Sequence, residues 1–280
     1  MSDIPSDLLI LAGAGAMPRF VAEGARRAGV SRVGILGVAG STPRRTLRLG
    51  DWSGMTTFAP SRFRKDIADS GFRHVILAGQ ISPLSFFRTA FDPEVQALLR
   101  EMGPHNAHTI FTRVIAEIEK EDARVLPSSL FLGAHIPKAG LLTRTAPTPE
   151  QEKDFAFGER IAMAICNLDI GQTVVVKDGV SLAIEGFEGT NSTILRGGRI
   201  AKSGALVVKV AKEGHDMRFD IPTIGLRTLR MMRRAHCKGL SVQAGRTLFM
   251  DLPAVIREAD RLGIAIVARD SGLEPAPTIA

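Results

Sequence analysis

Tyrosine is absent from the 280 residues, tryptophan occurs once, and aromatic side chains make up only 5% of the chain. Proteins that bind single-stranded nucleic acid stack bases on exposed rings, and a chain this poor in rings supplies few such platforms. Cysteine is equally scarce. Cys166 and Cys237 are the only two; they are too few for a disulfide framework, form no Cys-x-x-Cys pair, and are expected to be inert core thiols. No apolar run approaches the roughly 20 residues needed to span a bilayer, and Met1 to Asp7 has neither the basic nor the apolar part of an export signal. The expected location is the cytoplasm.

What is present suffices for two domains with cores, since 45% of the residues are hydrophobic over this length. Lysine and arginine number 36 against 29 acids, a balance of +7 that favours an anionic partner. Nucleic acid, an anionic lipid surface and a phosphorylated substrate all carry that charge, and the shortage of rings counts against the first. Many of the arginines fall on helix-patterned faces, where a solvated surface is the commoner reason for them.

The run Leu8 to Ala12 stops at Gly13-Ala-Gly-Ala-Met-Pro18 and gives way to a helical pattern from Arg19 to Gly29, which reads as strand, glycine turn, helix. Gly13 and Gly15 let backbone N–H groups approach an anion at a helix N-terminus, or simply make a tight turn. Pro18 replaces the third glycine of G-x-G-x-x-G, and no acid ends the next strand, Arg32 to Val38, which argues against an NAD site. Residues 41 to 65 read as a connecting loop and the start of a helix. Phe72 to Ala78 is another buried strand, and it ends in a second glycine loop at Gly79-Gln80. In a parallel sheet both loops lie on one edge, where such sheets place their ligands. Helical patterns follow over Pro93 to Met102 and His108 to Glu121, then a strand near Val125. His105 and His108 are three apart but have no Cys partner, so surface histidines are the better reading.

Prolines 137, 147 and 149 with Gly140 interrupt regular structure over 133 to 149 and mark a linker. The expected domains are 1 to 136 and 137 to 280. The second opens with a helix, Glu150 to Cys166, followed by two β-branched runs, Thr173 to Lys177 and Val180 to Ile184, joined by Asp178-Gly179 as a type I′ hairpin. Glu185-Gly-Phe-Glu-Gly-Thr-Asn191 then crowds two carboxylates and two glycines before a helix starting near Ser192; Glu185 or Glu188 is placed to hold a metal or to cap that helix. Arg196-Gly-Gly-Arg199 reads as an anion contact or a solvated loop. A helix over Leu226 to Lys238, a strand pair within Ser241 to Met250, a helix over Leu252 to Leu262 and a strand over Ile264 to Ala268 complete the unit. The tail from Ser271, with two prolines, is expected to be loose.

The most informative stretch runs from Val207 to Gly225. Lys209 and Lys212 end an apolar run, and Asp220 is set between Phe219 and Ile221 ahead of Pro222. A carboxylate among apolar neighbours is either paired or poised for chemistry. The combination suits a divalent metal with phosphate, but spacing alone fits at least as well a plain helix entry in which Pro222 opens the helix and Asp220 caps it.

Several segments together carry a family resemblance. Asn167 to Gly179, Glu185 to Thr190, Val208 to Lys212, Phe219 to Thr228 and Val242 to Asp251 resemble the C-terminal domain of LpxI-type UDP-2,3-diacylglucosamine pyrophosphatases. Leu11 to Pro18 and Leu77 to Pro83 extend the likeness into the first half, so that it covers nearly the whole chain. The resemblance implies an α/β protein whose Rossmann-like N-terminal domain carries a parallel sheet, with a second α/β domain on a mixed sheet and substrate held between them. It implies Mg²⁺-dependent cleavage of UDP-2,3-diacylglucosamine to UMP and 2,3-diacylglucosamine 1-phosphate in lipid A biosynthesis, at an anionic inner-membrane surface, by an enzyme that can form homodimers. Asp220 matches the family's essential aspartate, and with Glu188 it makes the expected metal ligands. Gly13, Gly15, Gly79, Gln80, Gln172, Thr190, Asn191, Lys209, Lys212 and Thr223 make the expected substrate contacts. Two departures stand out: Asn106-Ala107-His108 where many relatives have Gly-Asp-Asp, and Asn191 where they have an aspartate. They leave room for an altered metal site, for a different nucleotide-linked substrate, or for a non-catalytic binder of nucleotide or phospholipid.

Overall fold

The computed structural model describes residues 4–57, 59–80, 96, 107–211, 214, 216–219 and 221–279. They form two compact units. The first holds the described residues up to 133 together with 217–219 and 277–279, and the second holds the remainder. No single cut of the chain separates them.

In the first unit, strands β1 (Asp7–Ala12), β2 (Arg32–Val38), β3 (Trp52–Thr56), β4 (His74–Ala78) and β5 (Arg124–Val125) make one sheet in the order β3-β2-β1-β4-β5. Every pairing is parallel. Helices α1 (Met17–Arg27), α2 (Pro60–Ser70) and α3 (Ala107–Ile118) connect the strands. Parallel strands covered on both faces read as unbroken apolar runs, and Leu8 to Ala12 is buried throughout. On one face Leu9, Leu11, Leu36 and Val75 pack with Phe63, Ile67 and Ile115. β3 lies where a loop was expected: it is an edge strand of alternating exposure, and its Ser53 and Gly54 hide it from a search for apolar runs. The helix expected over Pro93 to Met102 falls, apart from Gln96, outside the described residues, as do His105 and Asn106.

In the second unit a six-stranded sheet runs β6-β13-β11-β9-β7-β8, where β6 is Gly140–Leu141, β7 Thr173–Lys177, β8 Val180–Ile184, β9 Leu206–Lys209, β11 Gly239–Gln243 and β13 Ala265–Arg269. The three strands β9, β11 and β13 are parallel, and β6, β7 and β8 are joined through antiparallel pairs. Helix α4 (Pro149–Asn167) covers one face, with Phe155, Ala162 and Ile165 on Val174, Val176 and Val208. Helices α5 (Thr190–Ala201), α6 (Leu226–Arg234) and α7 (Leu252–Leu262) cover the other, where Ile194, Leu229 and Val255 share a core with Val175 and Val207.

Three expectations for this half are corrected. Arg196 to Arg199 is not a loop but part of α5: a Cβ on Gly197 would lie 2.6 Å from the Val175 side chain and one on Gly198 2.4 Å from the Ala235 Cβ, so these glycines let the helix sit close to its neighbours. The strands within Ser241 to Met250 do not pair with each other. β12 (Leu248–Phe249) instead pairs in parallel with β10 (Thr223–Ile224), because the turn at Gly245 carries the chain out of the main sheet. The tail is tied rather than loose: Ala276 N–H donates to Gly245 O, Ile279 N–H to Leu130 O, and Ser129 Oγ to Pro277 O.

The β7–β8 turn has positive φ at both Asp178 and Gly179, as a type I′ hairpin requires. It is clamped onto α4, since the buried Asp154 carboxylate accepts the Asp178 N–H at 2.8 Å and the Gly179 N–H at 2.7 Å. Asp154→Ala leaves both donors without their acceptor and is expected to cost about 2 to 3 kcal/mol, read as a lower urea midpoint at unchanged m. A loss below roughly 0.5 kcal/mol would mean that water replaces the clamp.

Candidate functional site

In the first unit the two glycine loops meet. Ala14 N–H donates to Gln80 O and Gln80 N–H to Ala14 O, both at 2.8 Å, while Gly13 N–H donates to Ala78 O. A Cβ on Gly13 would lie 2.5 Å from Gln80 O and one on Gly79 2.6 Å from Ala14 O, so both positions need glycine for the loops to touch. Gly15 is glycine for another reason, a φ of +98° with open space beside it. The N–H groups of Gly13 and Ala14 are thus engaged with backbone.

The second unit carries a denser arrangement at the C-terminal end of β9. Lys209 lies directly across from Thr173 on β7, and Glu185, just past β8, donates its N–H to Thr173 O. Strand alternation places all three side chains on the face that bears Ala183, Val175 and Val207, beneath α5. Helix α5 begins above them. Its N-cap, Gly189, has φ +78° and offers no side-chain cap, so the positive end of the helix dipole faces the Glu185 carboxylate that Thr190 bonds.

Thr190, the first helical residue, ties this group together. Lys209 Nζ donates to Thr190 Oγ1 at 2.7 Å, Thr190 Oγ1 donates to Glu185 Oε1 at 2.9 Å, and Thr173 Oγ1 lies 3.3 Å from the same hydroxyl. Lys209 is 4% exposed and Glu185 7%. Burying opposite charges at this depth is tolerable because they are linked through one hydroxyl. The other Glu185 oxygen, Oε2, is buried with no hydrogen-bond partner, and so is Asn191 Oδ1. Gly171 makes the loop fit, since a Cβ there would lie 2.2 Å from Glu185 O.

The expected site residues therefore divide. Thr190 and Lys209 come together, with Asn191 next in the chain. Gln172 precedes Thr173 and falls on the opposite face by alternation; its Oε1 is buried without a partner. Glu188 bonds elsewhere, accepting from Gly186 N–H at 3.2 Å, Thr193 Oγ1 at 3.4 Å and the Arg196 guanidinium. The Arg196 bond, with Coulombic help from the same residue, holds the Glu188 carboxyl below its usual range. Thr223 donates its hydroxyl to Ile221 O and sits in the β10–β12 pair. Asp220 and Lys212 lie outside the described residues, and so do the side chains at 107 and 108. Among the described residues no three His, Cys, Asp or Glu side chains gather as a metal cluster. Thr173 was not singled out from sequence, since only the strand register reveals it. The thiols behave as expected: both cysteines are buried, and burial pushes Cys237 up to about 12.

Among the described residues no helix is long and apolar enough to cross a membrane. Residues 7–135 match the family model for the LpxI N-terminal domain and residues 138–267 that for the LpxI C-terminal domain. The chain is also 31% identical over 224 residues to the UDP-2,3-diacylglucosamine pyrophosphatase LpxI of Caulobacter vibrioides, a match spanning 75% of this chain and 79% of that protein. With both domain models matched in order over nearly the whole length, the chain belongs to the LpxI family.

Proposed function

We propose that the protein hydrolyses the pyrophosphate of UDP-2,3-diacylglucosamine with Mg²⁺, releasing UMP and 2,3-diacylglucosamine 1-phosphate. The family supports the substrate class. The observation that carries the chemistry is the buried ammonium of Lys209 held at the uncapped first turn of α5.

Water adds to one phosphorus, the bond from that phosphorus to the bridging oxygen breaks, and the bridging oxygen leaves on the other phosphate. Negative charge grows on the departing oxygen. Lys209 and the first-turn N–H groups of α5 answer that charge with fixed positive potential, and Thr190 holds the ammonium in place. Lys212 supplies a second ammonium in this reading. Asp220 would be one ligand of the cation and would orient the attacking water. The oxygen-only donors at hand, a carboxylate and an amide carbonyl with unpartnered oxygens, fit a hard divalent ion. Such an ion supplies charge neutralisation and a lowered pKa for bound water.

Phe187 is fully exposed and Ile184 partly so, on either side of Glu185 along the chain. They give the acyl chains or a membrane surface an apolar place to rest, and the net +7 favours anionic lipid. Pairing of two copies belongs to the same reading and is checked by sedimentation.

The test is direct. Purified protein with UDP-2,3-diacylglucosamine and Mg²⁺ should release UMP, and EDTA should stop it. If neither Mg²⁺ nor Mn²⁺ supports release, the proposed reaction is wrong.

A further inference from the structure

Glu185 is a buried carboxylate with half of its acceptor capacity unused. Its Oε1 takes the Thr190 hydroxyl, whereas Oε2 is sealed from solvent and meets no donor. A charged oxygen in that condition lacks a partner that folding alone has not provided. Asn191, adjacent to Thr190 in the first turn of α5, repeats the pattern with a sealed Oδ1 that meets no donor. Two buried oxygens of the hard type, one of them charged, call for a cation or a hydrogen-bond donor brought in from outside.

The neighbouring acid offers a contrast. Glu188 is the acid expected beside Asp220 as a metal ligand, yet its carboxylate accepts from Arg196, Thr193 and Gly186. An ion binding there would have to displace a guanidinium. Glu185 needs no such displacement.

We infer that Glu185, assisted by the amide oxygen of Asn191, is the carboxylate seat for the divalent cation in the second unit, and that Glu188 is not. The inference rests on the pyrophosphatase reading for its purpose but not for its evidence, which is the pair of unpartnered oxygens. Thr190 then has a positioning role, since one hydroxyl fixes both the Lys209 ammonium and the Glu185 carboxylate.

Mn²⁺ in the absence of substrate is the probe, and loss of its free-ion EPR signal reads binding by the full chain. Wild type should bind it, Glu185→Gln should bind about tenfold or more weakly, and Glu188→Gln should stay within about twofold of wild type. Asn191→Asp should tighten binding several-fold, and adding Glu185→Gln should cancel that gain; a gain of affinity has no explanation in misfolding. Unchanged affinity in Glu185→Gln, a larger loss in Glu188→Gln, or no Mn²⁺ binding by wild type at millimolar concentration each overturns the assignment. UMP release by the same wild-type preparation is scored separately. Release with Mn²⁺ affinity indifferent to Glu185 sinks only the cation seat, and Glu185-dependent binding without release sinks only the reaction.

Discussion

Lys209→Met is expected to lower kcat for UMP release by about 10²- to 10³-fold, the loss typical when a preorganised charge at a developing oxyanion is removed. It should also destabilise the fold by roughly 2 to 3 kcal/mol, because Glu185 and Thr190 keep their buried positions but lose the ammonium that balances them. The two effects are separable. Lys209→Met combined with Glu185→Gln removes both charges and should recover much of the stability without recovering turnover, a coupling that a double-mutant cycle reads directly. Near-wild-type kcat in the single variant would remove Lys209 from the chemistry, and additive stabilities would remove the charge pairing.

Asp220→Ala should reduce turnover by on the order of 10³ while leaving the melting transition nearly unmoved, since several kcal/mol of barrier lowering is assigned to this carboxylate and its ion. The residues on either side have anchors of their own: Phe219 stacks on Phe111 with centroids 5.4 Å apart, and Pro222 O accepts the Leu248 N–H at 2.8 Å. Full activity in the variant would refute the mechanism. A collapse in stability would instead point to a capping role.

Much of the scaffold was legible because it is written locally. Past their first residues β1 and β2 hold only apolar residues and glycine, the Asp178-Gly179 turn names its own hairpin, and α7 has the bounds its pattern predicts. Features that depend on distant partners were not legible. Thr173, Glu185 and Lys209 become neighbours only through the register of three strands, so spacing left Glu185 and Glu188 as alternatives where the structure buries Glu185. Gly197 and Gly198 looked like a loop because their packing against Val175 and Ala235 is invisible in one dimension. For the first loop, sequence left an anion contact and a tight turn both open, and neither reading showed that Gly13 and Gly79 serve mutual contact of the two loops. The family segments supplied what local reading could not, by tying these positions to a shared activity.

The first unit draws two of its pieces from far downstream. Ser128 N–H and Oγ bond to the carbonyls of Met217 and Arg218, and Ser129 and Leu130 bond to 277 and 279. A gene fragment ending near 133 would encode a half-molecule stripped of its own fasteners, and grafting the other half onto a foreign partner would carry those fasteners away with it. Recombination between relatives should therefore succeed only when upstream and downstream segments are inherited from the same parent.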